Sequence, residues 1–154
     1  MKSEASIEID GPIDEVFRLT SEHVAEWSLT VVEEEMIEVV PGGVGTKFRT
    51  ITEDHGQKME FDGVVTVFEP PHRNTVHLTG KSFDIDVDYL FEKTDDGTRV
   101  TQIADVHPKG FLVAVFALIA VFNWLTRKST CDDALVELKA LKQFCESRVS
   151  DAPA

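Results

Sequence analysis

The spacing of apolar and polar side chains changes along the chain, from alternation at every second residue to a helical repeat. Alternation is clearest in segment 82–92. Its apolar positions are Phe83, Ile85, Val87, Tyr89 and Phe91, and aspartates stand between several of them. Successive side chains of a strand point to opposite faces of its sheet. The segment therefore predicts a strand with one buried face and one solvated face.

Other segments predict six more strands and two short helices. Segment 12–27 carries apolar residues at helical spacing, broken near Thr20. Turn residues such as those of Asp54-His55-Gly56 and Asp95-Asp96-Gly97 separate the remaining alternating segments. The predicted strands, besides 82–92, are 6–9, 30–40, 46–52, 59–68, 74–79 and 98–106.

The last part of the chain, 111–148, predicts one long helix. Its second half is amphipathic, whereas segment 111–122 is unbroken apolar sequence. Twelve apolar residues fall short of the roughly 20 that cross a bilayer, so we interpret this segment as a core helix. Residues 150–154 are expected to fray, which leaves one domain over 1–149.

Hairpin-connected strands followed by a terminal helix predict the α+β class. A twisted antiparallel sheet of about seven strands curls, and its concave face needs an apolar cover. The long helix is the element able to supply that cover. We therefore predict a curved sheet wrapped around the C-terminal helix, with a ligand-sized apolar cavity between them.

Composition and charge narrow the expected partners. Hydrophobic content of 42% is typical of a folded domain, and the formal net charge is -13. The electrostatic field of this negative charge repels phosphate backbones, so nucleic acid is not expected as a partner. Cys131 and Cys145, about 21 Å apart along one helix, are expected to be free thiols. The acidic N-terminal segment does not resemble a signal peptide, so we expect a cytoplasmic protein.

The apparent metal and nucleotide motifs lack residues that their chemistry requires. The segment Gly42 to Lys47 lacks the Gly-Lys-Ser/Thr ending of a phosphate-binding loop. The alternating aspartates at Asp84, Asp86 and Asp88 lie in a predicted strand, where they stand too far apart for one ion. The five histidines show no metal-ligand spacing. We predict no metal site and no cofactor.

Several local signatures, taken in order, resemble a known superfamily. They are the opening Ile7-Glu8-Ile9-Asp10-Gly11-Pro12 with Val16-Phe17, then Trp27, the hairpin Pro41 to Phe48, the strand end Val67 to Pro71, the hairpin Gly97 to Thr101 and the closing helix. This order resembles the SRPBCC superfamily of START-type lipid-transfer and birch-pollen-allergen-like proteins. It is most similar to the polyketide cyclase/dehydratase and lipid-transport family. The resemblance implies a helix-grip fold with an internal hydrophobic cavity.

The predicted cavity lining is poor in catalytic groups. The inward face of segment 82–92 offers one phenol, Tyr89, and no carboxylate, histidine or arginine. Acid-base catalysis needs at least one positioned titratable group, so Tyr89 is a weak catalytic candidate, although a core tyrosine explains it as well. The candidate ligand-binding residues are Trp27, Phe48, Met59, Phe61, Phe83, Ile85, Val87, Tyr89, Gln102, Phe116, Ala120 and Trp124.

Three hypotheses for function follow. The leading one is the binding or transport of a small hydrophobic or amphipathic molecule, lipid-like or polyketide-like. The second, which the family resemblance implies as an option, is a cyclase or dehydratase, favoured if Tyr89 meets a histidine or an acid from another strand. The third is contact through the apolar helix 111–125, with a second copy as a homodimer or with a membrane surface. Ten phenylalanines also allow a cavity filled by its own side chains.

Overall fold

The chain runs from a strand through two short helices into six further strands and a closing helix. The computed structural model describes residues 2–54, 56–111, 113–115, 118 and 131–151. The elements are β1 (Lys2–Ile9), α1 (Ile13–Glu22), α2 (Val24–Trp27), β2 (Val31–Glu38), β3 (Lys47–Asp54), β4 (Gln57–Glu69), β5 (Arg73–Thr79), β6 (Phe83–Lys93), β7 (Thr98–Pro108) and α3 (Cys131–Asp151).

All seven strands form one antiparallel sheet in the order β1-β7-β6-β5-β4-β3-β2. The predicted α+β class and the seven predicted strands are confirmed, with ends that differ by a few residues. Two register shifts in β2 and one between Val65 and Val67 of β4 mark bulges. Bulges bend the strands that carry them and increase the local twist, so they help to curve the sheet.

The main core lies between α3, α1 and the β1 side of the sheet. Leu138, Leu141 and Cys145 of α3 are completely buried, and Val16 of α1 and Val100 of β7 belong to the same cluster. The free Cys145 thiol is buried there, which raises its pKa to about 12. A thiol this seldom ionised packs as a small apolar group.

Polar contacts fix α3 against the first strand. Glu146 accepts a hydrogen bond from the Asp10 backbone N–H at 3.1 Å and pairs with Lys142 at 2.7 Å. The Lys142 ammonium also donates to the Glu8 carbonyl at 2.8 Å. These contacts hold the helix against the end of β1 while its apolar stripe packs inward.

The outward face of β6 carries paired rather than simply solvated carboxylates. Asp88 accepts two hydrogen bonds from the Arg73 guanidinium, at 3.1 and 2.9 Å. Asp86 lies between His77, at 2.6 Å, and His107, at 3.0 Å, and the hydrogen bond with His77 lowers the pKa of Asp86. These pairs connect β6 with both neighbouring strands.

The predicted helix over 111–148 falls only partly within the described residues. Residues 113–115 and 118 are helical, and α3 begins at Cys131. Residues 116–117 and 119–130 lie outside the described part of the chain. In that part, no helix has both the length and the hydropathy that crossing a membrane requires.

Substitution in α3 tests its role as the core helix. Leu141→Ala removes a side chain with 0% exposure, so we expect the free energy of unfolding to fall by about 2 to 5 kcal/mol, measured by urea denaturation. Val136→Ala is the matched control, because Val136 lies in the same helix and is 51% exposed. Its effect should stay within about 0.5 kcal/mol. Equal losses in both variants would contradict the described packing.

Candidate functional site

A cavity of about 130 Å³ lies between the concave face of the sheet and the two short helices. Five strands, β2 to β6, supply most of its wall, and α1 and α2 close one side. The lining residues are Thr20, Ser21, Val24, Val31, Glu34, Met36, Phe48, Thr50, Val65, Asn74, Val76, Leu78, Val87 and Tyr89. Apolar side chains predominate, but polar groups come from several different strands.

Strand register explains why these side chains meet. Residues directly opposite each other in paired strands project from the same face of the sheet. Val76 of β5 stands opposite Val87 of β6, and Asn74 stands opposite Tyr89. The alternation of β6 therefore places both Val87 and Tyr89 on the cavity side.

Gly63 gives the aromatic ring of Phe48 its position. The two residues are opposite each other in β3 and β4, and a Cβ on Gly63 would overlap the Phe48 ring. A glycine within a strand commonly marks such a close approach. The ring consequently lies directly against the β4 backbone and takes up less of the cavity.

Tyr89 is the central polar group of the wall. Its hydroxyl oxygen accepts a hydrogen bond from the Gln102 amide at 3.1 Å. The Trp27 ring meets the Tyr89 ring edge-on at 6.3 Å and donates its own N–H to the Thr20 carbonyl at 3.2 Å. Burial raises the pKa of Tyr89, and the carboxylates of Glu137 and Glu34 raise it further. Tyr89 is therefore a neutral phenol over the physiological range.

Glu34 is a cavity residue that sequence reasoning missed. It stands opposite Thr50 in the β2–β3 pairing and lines the cavity with Tyr89. Burial raises the pKa of Glu34. The signal in the sequence was its spacing from Met36, since residues two apart share a strand face. The run Glu33-Glu34-Glu35 hides this alternation, because its three residues are identical.

Asn74 brings a second polar group that was not predicted. It is 9% exposed and lines the cavity. Its amide nitrogen donates to the Ser21 hydroxyl at 3.1 Å, while its Oδ1 atom is buried and has no hydrogen-bond partner among the described residues. Buried polar atoms in folded proteins nearly always have partners, so this carbonyl is an unusual feature of the cavity.

Glu137 of α3 joins the closing helix to the segment between α2 and β2. Its carboxylate accepts hydrogen bonds from the Ser28 hydroxyl and from the Leu29 backbone N–H, the latter at 3.0 Å. This contact fixes the segment that leaves α2, and with it the side of the cavity that α2 closes.

The predicted ligand residues are distributed over three places. Phe48, Val87 and Tyr89 line the cavity, Trp27 and Gln102 contact Tyr89, and Ile85 shares the cavity-side face next to Leu78. Met59, Phe61 and Phe83 instead line an open surface cleft of about 610 Å³ where β4, β5 and β6 end or begin. Phe116, Ala120 and Trp124 lie outside the described residues.

The polar groups of the cavity are suited to hydrogen bonding and proton transfer. Across the described ranges, 2–54, 56–111 and 131–151 included, no three His, Cys, Asp or Glu side chains are grouped so that they could hold a metal ion. Among the described lining residues, the polar groups are the carboxyl of Glu34, the amide of Asn74, the phenol of Tyr89 and the hydroxyls of Thr20, Ser21 and Thr50.

Solved structures share this fold at low sequence identity. TTHA0849 from Thermus thermophilus superposes with a TM-score of 0.75 at 17% identity, over 96% of this chain and 99% of that one. A START superfamily protein from Mycobacterium smegmatis gives 0.68 at 16% identity, over 97% of each chain. The fold is therefore of the helix-grip, START-like type, as predicted.

A di-domain aromatase/cyclase, StfQ from the steffimycin biosynthetic pathway, is similar to the chain over about half of its length. The TM-score is 0.74 at 17% identity, covering 97% of this chain and 52% of StfQ. No curated protein sequence matches the chain.

The family model described as polyketide cyclase / dehydrase and lipid transport matches residues 1–141. The chain belongs to this family, and the predicted SRPBCC resemblance is confirmed.

The glycine beneath Phe48 provides a test of the cavity wall. Gly63→Ala should push the Phe48 ring into the cavity and leave less room for a small apolar probe such as toluene, whose affinity titration calorimetry would measure in both proteins. We expect the affinity to fall about fourfold or more. The displaced ring takes up the space of at least one methylene group, and each buried methylene group contributes about 0.8 kcal/mol. Adding Phe48→Leu to Gly63→Ala should restore the affinity. Unchanged binding in the single variant would contradict the described ring position.

The burial of Glu34 predicts a pH-dependent stability. Burial disfavours the charged carboxylate, so its folded pKa lies above the ordinary value of 4.5. Folding stability is therefore lost as the pH rises from the ordinary pKa through the raised one. Glu34→Gln removes this penalty, and the variant should be more stable than the natural chain at neutral pH.

Urea denaturation at several pH values measures the effect of Glu34→Gln. The two proteins should converge in stability well below pH 4.5. Glu33→Gln is the control, because Glu33 lies in the same strand and is exposed. A stability difference for Glu34→Gln that does not vary with pH would show that the carboxyl is not buried.

Proposed function

We propose that this protein binds a small hydrophobic or amphipathic molecule in the cavity between the sheet and α1–α2. The observation that carries this proposal is the cavity itself, with an apolar wall and a few polar groups on separate strands. Ligand sites are commonly concave and mostly apolar, with few polar groups that orient the ligand. Removing apolar surface from water contributes roughly 25 cal/mol per Å², so such a wall supports binding.

Family membership supports the same proposal. The family description covers lipid transport as well as polyketide cyclisation and dehydration. A lipid-like or polyketide-like ligand is therefore the first class to test. The buried Cys145 thiol suits the reducing cytoplasm that the sequence led us to expect.

A cyclase or dehydratase is the second candidate, and one observation favours it. Glu34 brings a carboxyl group with a raised pKa to the wall that also holds the neutral Tyr89 hydroxyl. A carboxyl and a phenol on one apolar wall are a donor and acceptor pair suited to general acid-base catalysis. Glu34 would remove a proton from the ligand, and Tyr89 would donate a hydrogen bond to a carbonyl oxygen.

The apolar segment at 111–125 remains a candidate contact surface. Phe111 and Leu118 are 81% and 71% exposed. Exposed apolar side chains grouped together favour a second copy of the chain or a membrane surface as a partner. Concentration-dependent mass in solution and co-sedimentation with liposomes would separate these two partners.

Mass spectrometry under native and then denaturing conditions tests the leading proposal. A stoichiometric small apolar molecule, released unchanged on denaturation, would support a carrier. If incubation with a polyketide-like compound returns a product lighter by one water molecule, the enzyme is supported instead. A chain that binds nothing, in cell extracts or from an added panel of lipids and aromatic compounds, would contradict both.

Filling the cavity should abolish ligand recovery. Val87→Trp places a large ring in the cavity wall and occupies the space that the ligand needs. Val32→Trp is the matched control, because Val32 is exposed on β2. We expect the released ligand to drop below a tenth of the amount in the natural chain for Val87→Trp only. Equal recovery from both variants would place the ligand elsewhere.

A further inference from the structure

The cavity wall contains a buried hydrogen-bond acceptor to which none of the described residues donates. The Asn74 Oδ1 atom is buried and has no partner in the part of the chain that the structure describes, although the other end of the same amide is held by Ser21 at 3.1 Å. That second contact fixes the side chain, so the carbonyl does not turn away to find another donor. Leaving a buried acceptor unsatisfied is unfavourable unless something else completes it.

Tyr89 lies on the strand next to Asn74. The two residues are directly opposite in the β5–β6 pairing, and both line the cavity. The Tyr89 oxygen already accepts a hydrogen bond from Gln102 at 3.1 Å, and the pKa of Tyr89 is raised, so it keeps its hydroxyl hydrogen. One wall of the cavity therefore presents an acceptor on β5 and a donor on the neighbouring strand β6.

We infer that Asn74 and Tyr89 select ligands that carry a hydroxyl group on an apolar ring. This inference rests on the proposed binding function and names the ligand class of that same site. A hydroxyl group is both donor and acceptor. It can donate to the Asn74 carbonyl while it accepts from the Tyr89 hydroxyl, whereas an ether or a plain hydrocarbon leaves the carbonyl unsatisfied.

Cavity size limits the part of the ligand that reaches this wall. An apolar cavity of about 150 Å³ is known to hold one benzene molecule. The cavity here, at about 130 Å³, is suited to a single aromatic or alicyclic ring. Phenol and toluene are therefore suitable probes, because they have nearly the same shape and differ in the hydroxyl group. Pyridine is the third probe, since it accepts a hydrogen bond and donates none.

Titration calorimetry of the three probes with the natural chain and two variants tests the inference. Asn74→Leu removes the carbonyl and keeps an apolar side chain of similar size. Val76→Ala is the control, because Val76 lines the same cavity without a polar group. We expect the natural chain to bind phenol more tightly than toluene. In Asn74→Leu the ratio of the two affinities should fall by about tenfold, the effect of one buried hydrogen bond.

The outcomes separate this inference from the proposed function. Val76→Ala should weaken both probes and leave their ratio unchanged. If phenol and toluene bind equally well to the natural chain, or if the ratio is the same in Asn74→Leu, the selection is overturned while binding stands. Preference for pyridine over phenol would also overturn it, because the wall would then offer only donors. If no probe binds to the natural chain, the proposed function itself fails.

Should Asn74→Leu not fold, the comparison of the three probes on the natural chain still decides the matter. Toluene leaves water more readily than phenol, so a preference for phenol requires polar contacts in the site. Loss of that preference in Ser21→Ala, which frees the Asn74 amide to turn, would support the same conclusion.

Discussion

One constraint governs this structure: the sheet is apolar on its concave face, and that face must be shielded from water. At the β1 side the shield is complete, because α3 and α1 bury Leu138, Leu141 and Val16 against the sheet. Toward β2 the cover that the described residues supply consists of α1 and α2. The cavity lies between these two helices and the sheet. Core and cavity are therefore two parts of the same concave surface.

The two carboxylates near the cavity are used differently. Glu137 is held by the Ser28 hydroxyl and the Leu29 N–H, so it serves mainly to join α3 to the segment before β2. Glu34 comes from an outer strand of the sheet and faces the cavity, where burial raises its pKa. Both raise the pKa of Tyr89 and keep it a hydrogen-bond donor. A chain with a net charge of -13 thus keeps a neutral phenol in the cavity wall.

Sequence alternation predicted well which side chains of a strand face the concave side of the sheet. It did not predict which of those side chains lie at the cavity. It placed Val87 and Tyr89 on the cavity wall, since their pattern depends only on the period of β6. Phe61 and Phe83 have the same inward pattern, yet they lie at the end of the sheet beside an open cleft. Whether an inward-facing residue reaches the cavity depends on its position along the curved sheet and on what packs there. Both are tertiary properties, which alternation does not encode.

The two polar residues that were missed illustrate different limits. Glu34 was hidden by its glutamate neighbours and by the bulge between Val31 and Glu33, which changes the count of faces along β2. Asn74 was hidden because its partner Ser21 is 53 residues away in the chain. An unsatisfied buried carbonyl costs about 1 to 3 kcal/mol. The packing of α1 against β5 is what buries this amide, and a contact between elements so distant in the chain leaves no local pattern in the sequence.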